Sequence, residues 1–486
     1  MVAKDCKPGK TKSPFTNRCV KICPPDYIRA RRGCIKKQTT SPRPSVLGRV
    51  SSPVCLGRSK VTLKDYQKRA CKHFIHNRGL IVVFSTGSGK SLTAIAASQC
   101  FLDKYKTTGK IIVVTPVSLL NNFKKEMGTY GVEDKHLKSY KYYTYDGFIN
   151  AFKKGSLNLE HTMIIIDEAH NFRTLPLVKK SVKSRAYYMI EACQQAKRVM
   201  CLTATPFVNG QNDVENLQKM VRLEKDWDRS PKCLFSFYNR GASDDAYPSS
   251  TEKVVEIPMS DSYFEHYKKI LKLDFRITNY DKIPKSATFW ISLRQATNGL
   301  NDSLQSPKVL WCKNIIRQYV RENKKCLLYS SFLHSGVSKI AKHLEDLRIP
   351  YRIIKGSMSI GDRKKAVDDY NNNTVKVLLI TKAGSEGLDL KNTRLVILLD
   401  PVWNPSAEHQ IVSRAIRFGS HLMLPPSKRN VEIVHPVLVF PKSVKDSPLV
   451  SIDTYIMKQL SGEKKKIIDD LLCMYERDFS IEKHRC

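Results

Sequence analysis

Acidic residues are what this sequence lacks: 45 Asp and Glu face 83 Lys and Arg in 486 residues, a formal net charge of +38. Solubility needs only a few net charges, so the surplus calls for a polyanion, nucleic acid above all, as partner. Long apolar runs are missing too. Nothing approaches the roughly 18–20 uninterrupted apolar residues that span a bilayer, and the start MVAKDCKPGK has no signal-peptide core. The expectation is an intracellular protein with no membrane partner. Paired C-x2-C knuckles are absent among the 14 Cys, which in such a chain are expected as free thiols or metal ligands rather than a disulfide framework. No tandem repeat of useful length occurs. What is present, 41% hydrophobic residues in a chain too long for one ordinary core, predicts two or three domains and excludes wholesale disorder.

Texture divides the chain. Residues 1–60 hold 15 Lys and Arg and two acids, a net of +13, and the Pro/Ser stretch from Ser41 to Ser45, and read as a basic, Cys-containing appendage ending in a linker. From Val61 short apolar runs, GLIVVFS, KIIVVTP, TMIIIDE and RVMCLTATP, alternate with helix-like segments. This is the rhythm of buried parallel strands in βαβ units, and it predicts an α/β domain over 61–230. It lapses over 231–310, a mixed, aromatic, partly helical insertion or linker, and returns in KCLLYSSF, VKVLLITKAG and TRLVILLD, predicting a second α/β domain over 311–442. Apolar positions at Ile456, Leu460, Ile467, Ile468, Leu471 and Leu472 around the turn GEKKK give 443–486 as a helical tail, expected to cover the second domain or else to dock a polymerase.

After the run GLIVVF comes Ser85-Thr86-Gly87-Ser88-Gly89-Lys90-Ser91, then the helix-prone LTAIAASQ. Strand, small-residue loop and helix make a phosphate cradle. Glycines let backbone N–H groups curl around oxygens, the helix N-terminus adds its positive end, Lys90 reaches the β- and γ-phosphates, and Ser91 can bind Mg²⁺. The strict G-x-x-x-x-G-K-S/T pattern is not met, because Phe84 stands at its first Gly. Seventy-seven residues after Lys90, MIII delivers Asp167-Glu168-Ala169-His170 at a strand end, where open parallel sheets place ligand groups. Two adjacent carboxylates can divide labour, Asp167 holding Mg²⁺ and Glu168 polarising the attacking water. An acidic helix start is the plainer reading of the same residues. In QIVSRAIR, Arg414 and Arg417 stand at i, i+3 on one helical face, where they can stabilise a transferring γ-phosphoryl group or simply form a solvated basic face.

Taken in order, Tyr66-Gln67, STGSGKS at 85–91, TPVSLL from Thr115, DEAH at 167–170, Thr203-Ala204-Thr205-Pro206, LLYSSF from Leu327, TKAGSEGLDL from Thr381 and QIVSRAIR from Gln410 resemble the helicases and translocases of superfamily two. The resemblance covers about residues 61–442 and implies two RecA-like parallel-sheet domains in tandem that hydrolyse ATP with Mg²⁺. It implies adenine contact by Gln67, phosphate and metal contact through Thr86, Gly87, Ser88, Gly89, Lys90 and Ser91, and metal and water held by Asp167 and Glu168. Arg414 and Arg417 would be fingers on the γ-phosphate, with Gly387 and Asp389 beside the nucleotide. His170, Thr203, Thr205 and Gln410 would couple ATP state to domain movement, and Thr115, Pro116 and Thr381 would lie near the nucleic-acid backbone. DEAHNFR, TATPFVNG and GSEGLDL followed by WNP look like the Swi/Snf-type branch of double-stranded DNA translocases. The stretch SRAIRFGSHLMLPPSKRNVEI is similar to helicase-like ATPases of large DNA viruses, of the poxvirus nucleoside triphosphatase I and early-transcription-factor small-subunit type. Lys12 to Cys19 also looks like a short N-P-x-T-x-R-C element of such viruses. Phe84, Ser91 and Asp389 depart from the Swi/Snf pattern, which usually has a small residue, Thr and Asn there.

The resemblance implies a DNA translocase or helicase in viral transcription or replication, with duplex DNA as favoured track and RNA polymerase or transcription factors as partners. Its place would be a host cytoplasmic replication site, the nucleus or the virion. Two rivals stay open: a nucleic-acid-binding transcription-complex subunit with incidental or partner-activated ATPase, and an ATPase that remodels proteins. The surplus charge predicts salt-sensitive, sequence-independent binding through phosphate contacts. Tyr140, Tyr142, Tyr143 and Tyr145 suit either base stacking or a strand with one face in the core. Cys6, Cys19, Cys23 and Cys34, spaced C-x12-C-x3-C-x10-C, suit a structural Zn²⁺, free thiols or a local disulfide.

Overall fold

In the computed structural model the described residues are 54–173, 184–228, 230–239, 246–273, 291–299, 305–382, 388–444, 450–484 and 486, with the backbone of 10–12, 19–21, 27–30 and 33–36. Residues 1–51 form a unit of their own. In it β1 (Lys10–Lys12) pairs antiparallel with β2 (Cys19–Lys21), and β3 (Tyr27–Ala30) with β4 (Gly33–Lys36). Cys19 lies in β2 and Cys34 in β4, whereas Cys6 and Cys23 of the candidate zinc set lie outside the described residues.

The second unit is built on two parallel sheets. The first contains β5 (Gly79–Phe84), β6 (Lys110–Val114), β7 (Tyr140–Tyr143), β8 (Thr162–Ile166), β9 (Arg198–Thr203) and β10 (Phe235–Tyr238), in the order β10-β5-β9-β8-β6-β7. The other contains β11 (Ser249–Pro258), β12 (Lys325–Ser330), β13 (Tyr351–Ile354), β14 (Val377–Thr381), β15 (Thr393–Leu398) and β16 (Asn430–Val439), in the order β11-β16-β15-β12-β14-β13. Helices cover both faces of each sheet, so the central strands are buried on both sides and read as unbroken apolar runs. Four helices matter for the site: α1 (Asp65–His76), α2 (Lys90–Tyr105), α3 (Pro405–Ala415) and α4 (Gly462–Phe479).

The stretch 231–310, expected as an insertion, supplies edge strands to both sheets: β10 pairs with β5, and β11 with β16. Its strand signal is weak for a physical reason. β10 has four residues, and most of β11, SSTEKVVEIP, is exposed because an edge strand need not bury both faces. The tail also differs from expectation. Ile452, Tyr455 and Ile456 do join the second sheet's packing, but Ile468 and Tyr475 of α4 belong to the core of the first. The Tyr475 ring meets Phe207 at 4.9 Å and Phe235 at 5.3 Å. Beyond α4, Ile481 N donates to Phe235 O at 2.8 Å, and the Glu482 carboxylate accepts from Ser236 Oγ at 2.7 Å and Phe237 N at 3.1 Å. A disulfide joins Cys233 to Cys486, and another joins Cys55 to Cys100. These four cysteines correct the expectation of free thiols: the fold brings side chains 253 and 45 residues apart into bonding range.

The tail is anchored to the second lobe by an ion pair with no access to water. Lys308 Nζ lies 2.7 Å from Asp453 Oδ2, and donates to Thr297 Oγ1 at 3.0 Å, while Leu438 N donates to the same carboxylate at 3.1 Å. Removing one partner leaves a bare buried charge. Lys308→Met is therefore expected to lower unfolding stability by about 3–5 kcal/mol in urea titrations. Lys308→Met with Asp453→Leu should recover part of that loss, and an equal or larger loss in the double variant would contradict this account.

Candidate active site

The turn after β5 is shaped by two glycines in the left-handed region, Gly87 at φ 80° and Gly89 at φ 78°. A Cβ on Gly89 would collide with the Gln67 side chain, which lies against the loop. Gln67 Nε2 donates to Ser88 O at 3.3 Å and Gly89 O at 3.2 Å, and Tyr66 Oη donates to Ser88 O at 2.8 Å. Both ends of the Gln67 amide are thus engaged by protein, since its Oε1 accepts from Lys64 N at 2.8 Å. Ser88 Oγ closes the turn on Ser85 O. Thr86 stands half-buried before Gly87, and Ser91 opens α2 beside Lys90, whose Nζ donates to Phe84 O at 3.2 Å. Phe84 does not obstruct this loop. Strand alternation sends its ring into the core, edge-on to Tyr66 at 5.1 Å, and only its carbonyl faces Lys90.

Asp167 and Glu168 follow β8 directly. Glu168 takes a left-handed conformation, φ 48°, which turns the chain sharply so that the acids stay at the strand end. Asp167 is buried, and Thr115 Oγ1 donates to its Oδ2 at 3.5 Å. Burial pushes its carboxyl up to about 7, Glu168 adds to the rise, and Lys90 opposes it. Lys90 is itself pulled down by burial, held up by Glu168 and Asp167, and pressed down by Arg417 and Arg414. The two acids and three cations thus form one electrostatic group across two lobes. His170 joins it to its surroundings: Nδ1 lies 3.4 Å from Glu168 Oε2 and 3.2 Å from Thr203 Oγ1, and Nε2 lies 3.3 Å from Gln410 Nε2 on α3. Thr203 Oγ1 also accepts from Thr205 N at 3.1 Å.

From the second lobe, Arg414 is buried near the end of α3, and Arg417 Nε donates to Ser413 O at 3.2 Å. Arg417 approaches Asp389 at 4.0 Å, and its own backbone packs against Gly87 of the loop. Asp389 therefore reaches the site through Arg417, and Gly387 lies outside the described residues. Thr115 follows β6 and Thr381 ends β14, both with buried side chains, so of the residues expected near nucleic acid, Pro116 offers the more open surface. Thr115 faces the carboxylates instead.

Two participants escaped sequence reasoning. Tyr145 Oη donates to the carbonyls of Asp167 at 2.8 Å and Glu168 at 3.2 Å, bracing the acidic turn. Glu126, on the helix Val117–Tyr130, is hydrogen-bonded to Ser91 and to the Leu92 backbone and faces Lys90 and Arg417. Neither carries a motif, although Tyr145 stood out as part of an aromatic run. In that run Tyr140 is buried with Ser98 Oγ 2.6 Å away, and Tyr142 Oη donates to Met127 at 2.8 Å, so the strand reading holds for both.

Ser91 and Asp167 offer hard oxygen donors, and Asp167 is a carboxyl whose burial and acidic neighbour outweigh the help of Lys90. A divalent cation would supply the missing positive charge, so these residues fit Mg²⁺. The same imbalance has a consequence for stability. In the unfolded chain Asp167 ionises near 3.8, in the fold near 7, so ionisation progressively destabilises the nucleotide-free fold across that window. Asp167→Asn is expected to raise the thermal midpoint above pH 7, with a gain that vanishes as pH falls toward 3.8, while abolishing Mg²⁺-dependent ATP hydrolysis. Thermal unfolding across pH checks this, and a pH-independent gain would contradict it.

Residues 60–208 match the family described as type III restriction enzyme, res subunit, and residues 308–419 match the helicase conserved C-terminal domain. The chain is 30% identical over 434 residues to a putative ATP-dependent RNA helicase of Acanthamoeba polyphaga mimivirus, covering 82% of this chain and 93% of that one. It is 23% identical over 515 residues to nucleoside triphosphatase I of Choristoneura biennis entomopoxvirus, covering 85% and 78%. In fold it is similar to the helicase domain of Pyrococcus furiosus Hef, with a TM-score of 0.51 and 17% identity over 77% of this chain and 95% of that one. Two RecA-like sheets, a phosphate loop facing an acidic pair at a strand end, and these likenesses lead to one assignment: the chain belongs to the superfamily-two helicases, enzymes that bind nucleic acid and hydrolyse ATP.

Proposed function

We propose that this chain is a DNA translocase of the Swi/Snf-like, DEAH-containing branch, acting in the transcription or replication of a large DNA virus. The observation that carries the motor reading is the contact line at His170, which lies 3.4 Å from the Glu168 carboxylate, is hydrogen-bonded to Thr203, and is met from the other lobe by Gln410. It places the imidazole between the water-activating carboxylate and the helix that bears Arg414 and leads into Arg417. A change in charge at Glu168 is then felt at the lobe interface, which is what converts hydrolysis into domain movement.

In this reading the backbone of Thr86 to Gly89 cradles the phosphates, and Lys90 neutralises the β- and γ-oxygens. Ser91 and Asp167 would hold Mg²⁺, which when bound neutralises phosphate charge. Glu168 orients water and takes its proton, while Arg414 and Arg417 stabilise charge on the transferring group. Gln67 contacts adenine once ATP draws its amide from the loop, and Asp389 steadies Arg417. Thr205 passes loop movement on from Thr203. Thr115 and Pro116 from the first lobe and Thr381 from the second border the track, and the net charge of +38 supplies phosphate contacts. The viral setting rests on likeness to viral proteins named as RNA helicase and as nucleoside triphosphatase.

Steady-state ATP hydrolysis tests this without polymer and with duplex DNA, single-stranded DNA or RNA at fixed salt. Duplex DNA is expected to stimulate most. Lys90→Ala and Glu168→Gln should lower kcat by at least roughly 10²-fold, and Arg414→Ala by roughly 10³-fold, with DNA binding retained. Stimulation by RNA alone would move the track to RNA. Wild type at the Lys90→Ala background with every polymer would replace the motor with a scaffold or partner-activated subunit.

A further inference from the structure

Near the start of α3, six residues before Arg414, Glu408 belongs to a group of donors that the ATPase cycle does not use. His435 sits within β16, only 3% exposed, in a strand otherwise lined by buried apolar residues. It pairs in register with Val254 of β11, so Glu252, two residues earlier, projects from the same face of that strand as Val254. Glu408 of α3 completes the group. His435 Nε2 lies 2.9 Å from Glu252 Oε1 and 3.7 Å from Glu408 Oε1, and the three donor atoms all lie within 4.8 Å of one another.

We infer that Glu252, Glu408 and His435 form a second divalent-metal site, with Zn²⁺ as the fitting occupant. One imidazole nitrogen and two carboxylate oxygens are a known type of Zn²⁺ donor set. Bonds of about 2.0–2.1 Å in tetrahedral array put ligand atoms about 3.3 Å apart, between the two distances seen. The donors come from three elements of one lobe, β11, β16 and α3, so the arrangement is rigid. A cavity of about 400 Å³ borders Glu252 and Glu408 and leaves room for water as fourth ligand. Its wall also carries Lys465 of α4, whose ammonium competes with a metal for the same carboxylates. The site's work follows from its place on α3. Glu408 stands two residues ahead of Gln410, so a bound metal ties the helix that carries Gln410 and Arg414 to the sheet beneath it. The three ligands are positioning residues for that helix.

The test uses the full chain, stripped with chelator and held in excess Mg²⁺, with Co²⁺ as the probe. One equivalent should bind with visible d–d bands, without a thiolate-to-cobalt charge-transfer band, and be displaced by Zn²⁺. His435→Gln and Glu408→Gln should each weaken this binding more than about 100-fold, beyond what loss of a supporting residue costs. Lys465→Met should tighten it. Zn²⁺ should raise the thermal midpoint of wild type by a few degrees and leave that of His435→Gln unmoved. Bands with thiolate charge transfer that persist in His435→Gln would assign the metal to cysteines and overturn the inference. Absence of d–d bands in both wild type and Lys465→Met would overturn it as well, leaving an ion network closed by Lys465.

Discussion

Everything in the cleft depends on holding two carboxylates and three cations together away from bulk water. Asp167 and Glu168 repel each other, as do Lys90, Arg414 and Arg417, and burial penalises the charges of Lys90, Asp167 and Arg417. Only the mixture is tolerable, and only while both lobes contribute. The acids and the lysine come from the first sheet, the arginines from beyond the second. Electrostatics in so dry a place is strong, which is why a triphosphate and a metal, added with opposite charges, can shift the balance between lobes.

The remaining architecture serves that balance. β5 and β8 are fully buried, so their C-terminal ends are fixed by packing on both faces and deliver Lys90 and Asp167 from rigid supports. Tyr66, Gln67 and Tyr145 then hold the two loops by their carbonyls rather than by their charges. Two of the phosphate loop's own amides are engaged as well, Ser85 N with Tyr238 O at 3.0 Å and Ser88 N with Ser85 O at 3.3 Å. The tail adds a second link between lobes: it is anchored by Lys308 and Asp453 in one, and by Tyr475 and Glu482 on the edge strand of the other.

Much was legible in advance where one residue type does one job in a fixed local setting. Glycines before Lys90 and acids after an apolar run are set by chain-local geometry, whereas the single helical face expected for Arg414 and Arg417 is not found, because α3 ends at Ala415 and Ile416 leaves the helical conformation. The central strands were legible too, because burial on both faces leaves them no choice of residue. The edge strands β10 and β11 were not legible. β11 has charged and exposed positions since only one flank and one face are committed, and so it reads like a connector. The roles of Glu126 and Tyr145 were invisible because their partners lie 35 and 22 residues away, with no spacing rule linking them.

The sequence by itself determined the chemistry of this protein: a phosphate loop, an acidic pair, arginines and a heavy positive charge, since each is written in contiguous residues and in composition. Only the tertiary structure decided which of these groups meet. His170 between Thr203 and Gln410, Asp389 behind Arg417, Glu408 beside His435 and Cys233 against Cys486 are all encounters between distant segments. The physical reason is that local patterns specify strands and turns through short-range sterics and burial. Pairings across lobes depend on how whole sheets stack and close, and that follows from packing summed over the entire core.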